Sequence, residues 1–329
     1  MCDFVDMSSS SSSSSSEPAP FGPADVDKPW VGFGTGCNGL RSVYLRQPGG
    51  YSAEIYVYGG QVMSWKKGAE ELLYLSRKAV FRHPFPIRGG IPICFPRFFN
   101  DKNMEHHGFA RVRLWSIDAS PNANTSPDRA STDLILMPSK TDRPNKFDYR
   151  IRIILESNGD LTMISRIQNR KGSGKLLTFH FSYHTYFSVS DISEVRIEGL
   201  ENVDYLDYLQ NKNRFTEKAQ AITFDSEVDK VYLSTPHMIS VIDRQINRTF
   251  TIHKDGALPD IVVWNPWRTK AKEIFDLGNK EYRNFVCVEA AAVENAITLD
   301  PGEVWTGTQR LSVHHWTDSD VLPDPGNIL

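Results

Sequence analysis

The chain has 329 residues, with 37 basic and 40 acidic side chains and a formal net charge of -3. So even a balance builds no strong field of one sign, and neither nucleic acid nor an anionic membrane surface is expected as a partner. No apolar run reaches the roughly 18 residues a membrane helix needs, and the length allows one large all-β domain or two smaller ones.

Residues 1–27 are serine-rich and acidic, without arginine and without the apolar stretch of a secretory signal. They read as a disordered tail, and a cytosolic chain is expected. From Val31 the sequence is that of short strands. RSVYLRQ, YSAEIYVYG and GQVMSWK are rich in β-branched and aromatic residues and are broken by PGG and GG. YRIRIILESNG and DLTMISRIQNRKG alternate apolar and polar side chains around a glycine turn, which predicts a hairpin. KLLTFHFSYHTYF, MISVIDR, RTFTIHKD, DIVVWNP, NFVCVEAA and WTGTQRLSVHH continue the pattern. Short helices are expected only near 271–277 and 216–219. About fifteen or more strands with almost no helix favour a large antiparallel sandwich or barrel over a Rossmann or TIM architecture. No linker stands out after Val31, so a single domain over 28–318 is expected, with a short tail at 319–329.

The four cysteines, Cys2, Cys37, Cys94 and Cys287, are widely spaced and form no CxxC, so neither a disulfide framework nor a zinc site is indicated. Cys94 and Cys287 lie in apolar runs and read as buried thiols.

Five constellations could carry chemistry. IRGGIPICFPRFF sets Arg88 against two glycines, where its rigid fork of donors suits a phosphate or sugar hydroxyls; the alternative is a surface arginine paired to an acid. EHHGFARVRLW brings His106, His107 and Arg111 to the entry of a strand. Adjacent histidines point to opposite faces when extended, so a shared metal is disfavoured, and a wall gripping an anionic, hydroxyl-rich ligand fits better. In an extended TFHFSYHTYF, His180, Ser182, His184 and Tyr186 share one face, opposite Phe181, Tyr183, Thr185 and Phe187. A histidine there can donate a proton near neutral pH, or it can be a satisfied core histidine. In NFVCVEAAAVENAITL, Glu289 interrupts an apolar strand. It is either paired or working, and burial would raise its pKa and make it a better base; Glu294 is the weaker candidate. Asp204 and Asp207, in ENVDYLDYLQ, can accept from sugar hydroxyls or simply face solvent. Phe98, Trp264 and Trp267 are candidates for an aromatic floor or for core packing.

IRGGIPICFP, HHGFARVRLW, HTYFSVSDIS, YLD at 205–207, VVWNPW, NFVCVEAA and LDPGEVWTGTQRL, in that order, resemble the aldose 1-epimerase superfamily. Within it they resemble the glucose-6-phosphate 1-epimerase (hexose-6-phosphate mutarotase) group, whose plant members are also called apospory-associated protein C-like. The resemblance runs from about Trp30 to His315. It implies an all-β, galactose mutarotase-like supersandwich with its site in a concave groove. It implies His184 and Glu289 as the catalytic acid and base, and Arg88, His106, His107, Arg111 and Asp207 as substrate-binding. The expected partner is a small-molecule hexose 6-phosphate, acted on by a monomer with no cofactor and no metal. Glu289 would take the proton of the anomeric hydroxyl while His184 protonates the ring oxygen, several ångströms away across the C1–O5 edge. Two positions depart from the family. His106 stands where glutamine is common, and PRFFN (96–100) stands for P-Q-F-G, so that Phe99 replaces a glycine. A free-aldose epimerase and a non-catalytic carbohydrate-binding protein are the alternatives. A glycoside hydrolase would want a second carboxylate, for which Asp207 is the candidate.

Overall fold

The computed structural model describes residues 28–99, 106–118, 128–136 and 147–317; the expected tails at 1–27 and 319–329 lie outside the described residues. Three antiparallel sheets carry the fold. A five-stranded sheet runs in chain order through Trp30–Thr35, Arg41–Gln47, Tyr51–Tyr56, Gln61–Lys67 and Glu70–Glu71. A nine-stranded sheet has Val304–His315 at its centre, between Arg248–Lys254 and Leu161–Asn169. An eight-stranded sheet is ordered Asn213–Thr216, Asp204–Asp207, Val228–Tyr232, Asp260–Asn265, Phe285–Leu299, Leu177–Tyr183 and Ile93–Cys94, with Tyr186–Ser188 also paired to Phe285–Leu299.

The predicted hairpin forms between Phe147–Leu155 and Leu161–Asn169, and the alternate residues Tyr149, Ile151, Ile153, Leu161, Met163 and Ile167 are buried. They meet the inner face of the eight-stranded sheet. Phe181 packs on Tyr149 and Trp305, with ring centroids 6.3 and 4.9 Å away. Burying each such ring is worth about 2–3 kcal/mol. The Tyr183 hydroxyl crosses between the sheets and donates to Ser165 Oγ at 2.7 Å, so this buried polar atom is satisfied.

One irregularity shapes the outer face. The register between Leu177–Tyr183 and Phe285–Leu299 slips between Phe179 and Phe181. The amides of Val293 and Glu294 turn to Asp260 Oδ2 at 2.9 Å each. A buried carboxylate thereby replaces the ladder partners that a bulge removes.

The helix expected at 271–277 begins earlier, as Trp267–Glu273. Asn265 Oδ1 accepts the Trp267 N–H at 2.9 Å and fixes that start. No helix forms at 216–219. Thr216 ends a strand, and Glu217 Oε1 accepts the amides of Lys218 and Ala219 and turns the chain instead. Cys94 and Cys287 are buried free thiols, as read from their apolar runs. Cys37 is disulfide-bonded, a link that the cysteine spacing does not announce. No helix among the described residues is long and apolar enough to cross a membrane.

Candidate active site

Alternation in two neighbouring strands builds the site. In Phe285–Leu299, Val286, Val288 and Ala290 face the core, which leaves Cys287, Glu289 and Ala291 on the outer face. Across from them, Ser182 pairs with Ala291 and Tyr186 pairs with Cys287. His184 lies between, so the polar face predicted for 180–186 meets Glu289. The backbone of this link is clamped. His184 N–H donates to Pro92 O and Tyr186 N–H to Gly90 O, both at 2.9 Å.

His184 Nδ1 lies 3.1 Å from Glu289 Oε1, within ion-pair reach but off the line a full hydrogen bond requires. Glu289 Oε2 accepts from Ser182 Oγ at 2.6 Å. His184 is 5 % and Glu289 1 % exposed, so both charged forms are costly. Burial raises the Glu289 carboxyl to about 8, against the opposing pull of Ser182, with Asp229 adding to the rise. Burial, then Arg111, Arg88 and His106, hold the His184 imidazole well below its ordinary value. Both shifts act in one direction, favouring a neutral carboxyl beside a neutral imidazole.

Arg88 is placed by its glycines. Gly89 and Gly90 have φ of 126° and 61°, and a Cβ on either would sit within 2.5 Å of the Tyr74 or Val62 carbonyl oxygen. Only glycine allows this approach. The guanidinium donates through Nε to Asp276 Oδ1 at 3.1 Å, and Nη2 lies at ion-pair distance, 3.1 Å, from the same oxygen. Through Nη1 it donates to the Tyr186 hydroxyl at 3.1 Å. Asp276, which binds Arg88 from the far side, escapes a reading by spacing because it comes from a loop 188 residues away.

The H-H-G turn differs from an extended reading. His107 and Gly108 are both left-handed, with φ of 59° and 75°. That turn puts His106 and His107 on one side, with ring centroids 3.8 Å apart, instead of on opposite faces. His107 Nδ1 accepts the Phe99 N–H at 3.3 Å, so its neutral ring carries the proton on Nε2. The His107 ring meets His184 edge-on at 5.6 Å. Arg111 is buried and donates through Nη2 to His106 O at 2.6 Å. Its Nε has no partner, and among the described residues no carboxylate is within ion-pair distance. His106 is exposed at its edge, yet desolvation and the charges of Arg111 and Arg88 hold it at about 4. Among the described residues no cluster of three or more His, Cys, Asp or Glu side chains is placed to hold a metal ion.

Asp207 is buried and already engaged. Its Oδ1 accepts from Leu209 N–H at 2.9 Å and its Oδ2 from Gln210 Nε2 at 2.7 Å, capping the turn 208–210. The carboxylate that faces the pair is one the sequence reading passed over. Asp229 pairs with Trp264, and Trp264 with Cys287, so Asp229 shares the face of Glu289. Burial, then the charges of Glu227 and Asp207, raise it to about 6. An acid interrupting VDKVY was the available signal. Trp264 meets His184 edge-on at 6.0 Å, and Phe98 lies 4.9 Å from His107, so both line the groove. Trp267 packs on Tyr282 instead. Phe99 has a left-handed backbone, with φ of 65°, and stacks on Tyr208 at 4.0 Å.

Residues 41–312 match the sequence profile of the Aldose 1-epimerase family. A Cenchrus ciliaris protein with the provisional name glucose-6-phosphate 1-epimerase is 52 % identical over 281 residues, covering 84 % of this chain and 85 % of its own. An Escherichia coli protein of the same provisional name is 29 % identical over 254 residues, covering 73 % of this chain and 79 % of its own. The crystal structure of a provisionally named mutarotase, YeaD, from Salmonella typhimurium superposes with a TM-score of 0.76 at 24 % identity, covering 84 % of this chain and 91 % of that one. A galactose mutarotase-like protein from Clostridium acetobutylicum superposes with a TM-score of 0.70 at 17 % identity, covering 88 % and 99 %. The fold is thus the galactose mutarotase-like supersandwich, and the chain belongs to the aldose 1-epimerase superfamily of sugar mutarotases, within its glucose-6-phosphate 1-epimerase family.

Proposed function

We propose that the chain interconverts the α and β anomers of hexose 6-phosphates, D-glucose 6-phosphate first among them. The observation that carries this reading is the buried His184–Glu289 contact, 3.1 Å long, flanked by the two guanidinium groups Arg88 and Arg111. Anomer exchange needs one proton taken from the anomeric hydroxyl and one given to the ring oxygen. A carboxyl and an imidazole serve both ends, and their roles reverse on reclosure. The contact is shorter than the several ångströms expected across a C1–O5 edge. The sugar therefore lies across the pair, with His184 Nε2, the nitrogen turned away from Glu289, addressing O5 and the Glu289 carboxylate addressing the anomeric oxygen. Arg88 and Arg111 supply charge-assisted donors for the phosphate. Trp264 and Phe98 offer rings to the apolar faces of the sugar.

The test is anomer exchange at equilibrium by NMR saturation transfer, with the native protein, H184A and E289A, on glucose 6-phosphate, glucose and galactose. Exchange of the phosphorylated sugar that both variants lose is the expected result. Exchange of free sugars alone would move the activity to ordinary aldose epimerisation. No exchange of any sugar by folded protein would leave a carbohydrate-binding module.

A further inference from the structure

Two contacts join Arg88 to the imidazole of His184. Arg88 Nη1 donates to the Tyr186 hydroxyl at 3.1 Å. The Tyr186 ring lies on His184 with 4.7 Å between centroids and 6° between planes. Arg111, buried beside them, lacks a carboxylate partner among the described residues and has an unpartnered Nε. Asp276 compensates Arg88, so Arg111 remains the unbalanced cation; burial and Arg88 both push it below its ordinary value.

The groups around His184 come from several elements. Glu289 faces it from the central strand and Tyr186 from the continuation of its own chain. His106, His107 and Arg111 approach from the 106–112 turn, Arg88 from the R-G-G turn and the uncharged Trp264 from the neighbouring strand. Beyond Glu289 lie Asp229 and the neutral thiols of Cys94 and Cys287. On the arginine side the field disfavours an imidazolium.

Resting on the hexose 6-phosphate reading, we propose that the substrate's phosphate is an activator of the catalytic acid as well as a binding handle: an anion held by Arg88 and Arg111 offsets the two cations beside His184 and lets the imidazole take a proton across its contact with Glu289. The proton moves from Glu289 Oε1 to His184 Nδ1, and a carboxylate and an imidazolium result. His184 then gives its Nε2 proton to O5 as the C1–O5 bond opens, while Glu289 takes the anomeric hydroxyl proton. The open aldehyde faces a neutral histidine and a neutral carboxyl. Reclosure returns both protons. Tyr186 is the positioning residue that fixes Arg88 relative to the imidazole plane.

The inference predicts that a phosphate in pieces works. Exchange of free glucose is measured by saturation transfer with inorganic phosphate titrated in at constant ionic strength, chloride making up the balance. Phosphate-catalysed exchange, measured with E289Q at the same concentrations, is subtracted. The expected result is a rise of about tenfold or more in kcat/KM for free glucose, equivalent to about 1.4 kcal/mol of barrier, absent in R111Q. In the same titration the His184 ring nitrogens, assigned by difference from H184Q, move toward the imidazolium shift. That readout uses the native protein and holds even where R111Q fails to fold. Phosphate that competes with glucose 6-phosphate yet leaves both the glucose rate and the His184 shift unchanged would overturn the inference, as would phosphate that does not bind at all. Glucose 6-phosphate turned over no faster than glucose would instead sink the substrate reading itself.

Discussion

The imidazole of His184 and the phenol of Tyr186 are stacked face to face, 4.7 Å apart and 6° from parallel. The stack fixes the plane of the His184 imidazole and therefore where Nε2 can reach. Glu289, on the neighbouring strand, is fixed independently by Ser182. Two groups held by different strands give a pair whose separation depends on the register of the sheet.

Removing either member of the pair removes a proton-transfer group. H184Q and E289Q are expected to lose about 10²- to 10⁴-fold in kcat, with much smaller changes in KM. Saturation-transfer kinetics across a range of glucose 6-phosphate concentrations separate the two constants.

The raised carboxyl of Glu289 has a signature in stability. Between its ordinary value and about 8 the folded protein holds a proton that the unfolded chain releases. Stability from this group is thus present at low pH and lost as pH rises through that window. His184, held low, acts in the opposite sense below its ordinary value. Urea midpoints measured from pH 5 to pH 9 should show E289Q gaining on the wild type by about 1.4 kcal/mol per pH unit at most. A difference that stays flat across the window would mean that Glu289 is ionised in the empty groove.

Phe99 is a bulky residue in a glycine conformation, which costs about 1–2 kcal/mol. Its stack on Tyr208 returns about 0.5–1.5 kcal/mol. F99G loses the ring but also the strain, whereas F99A loses the ring and keeps the strain. Thermal or urea unfolding should therefore find F99A less stable than F99G by about 1 kcal/mol, the reverse of the usual order for these residues.

Asp207 and Asp229 should separate cleanly. D207A removes a cap whose two oxygens serve Leu209 and Gln210, at a cost of about 1 kcal/mol in stability; its KM for glucose 6-phosphate should stay near the wild-type value. D229N alters a carboxylate on the face of Glu289 and should raise KM several-fold or lower kcat without lowering stability near neutral pH, because the amide carries none of the burial cost that raises the carboxyl to about 6. Paired kinetic and unfolding measurements on the two variants check the split.

Alternation along single strands was enough to read the all-β class, the hairpin at 147–169 and the polar face of 180–186, because a strand's two-residue period is local. The same period exposed Glu289 as an acid in an apolar run. Chemistry at Arg88, His106, His107 and Arg111 was legible as residue type. Their arrangement was not: the left-handed turn at His107 reverses the direction an extended chain would give, and φ is set by the contacts around it. Asp229 and Asp276 reach the site from sequence positions far from His184, so only strand pairing and loop packing could bring them there. Protonation was decided at the same level, since burial of the pair depends on layers of side chains drawn from the whole chain.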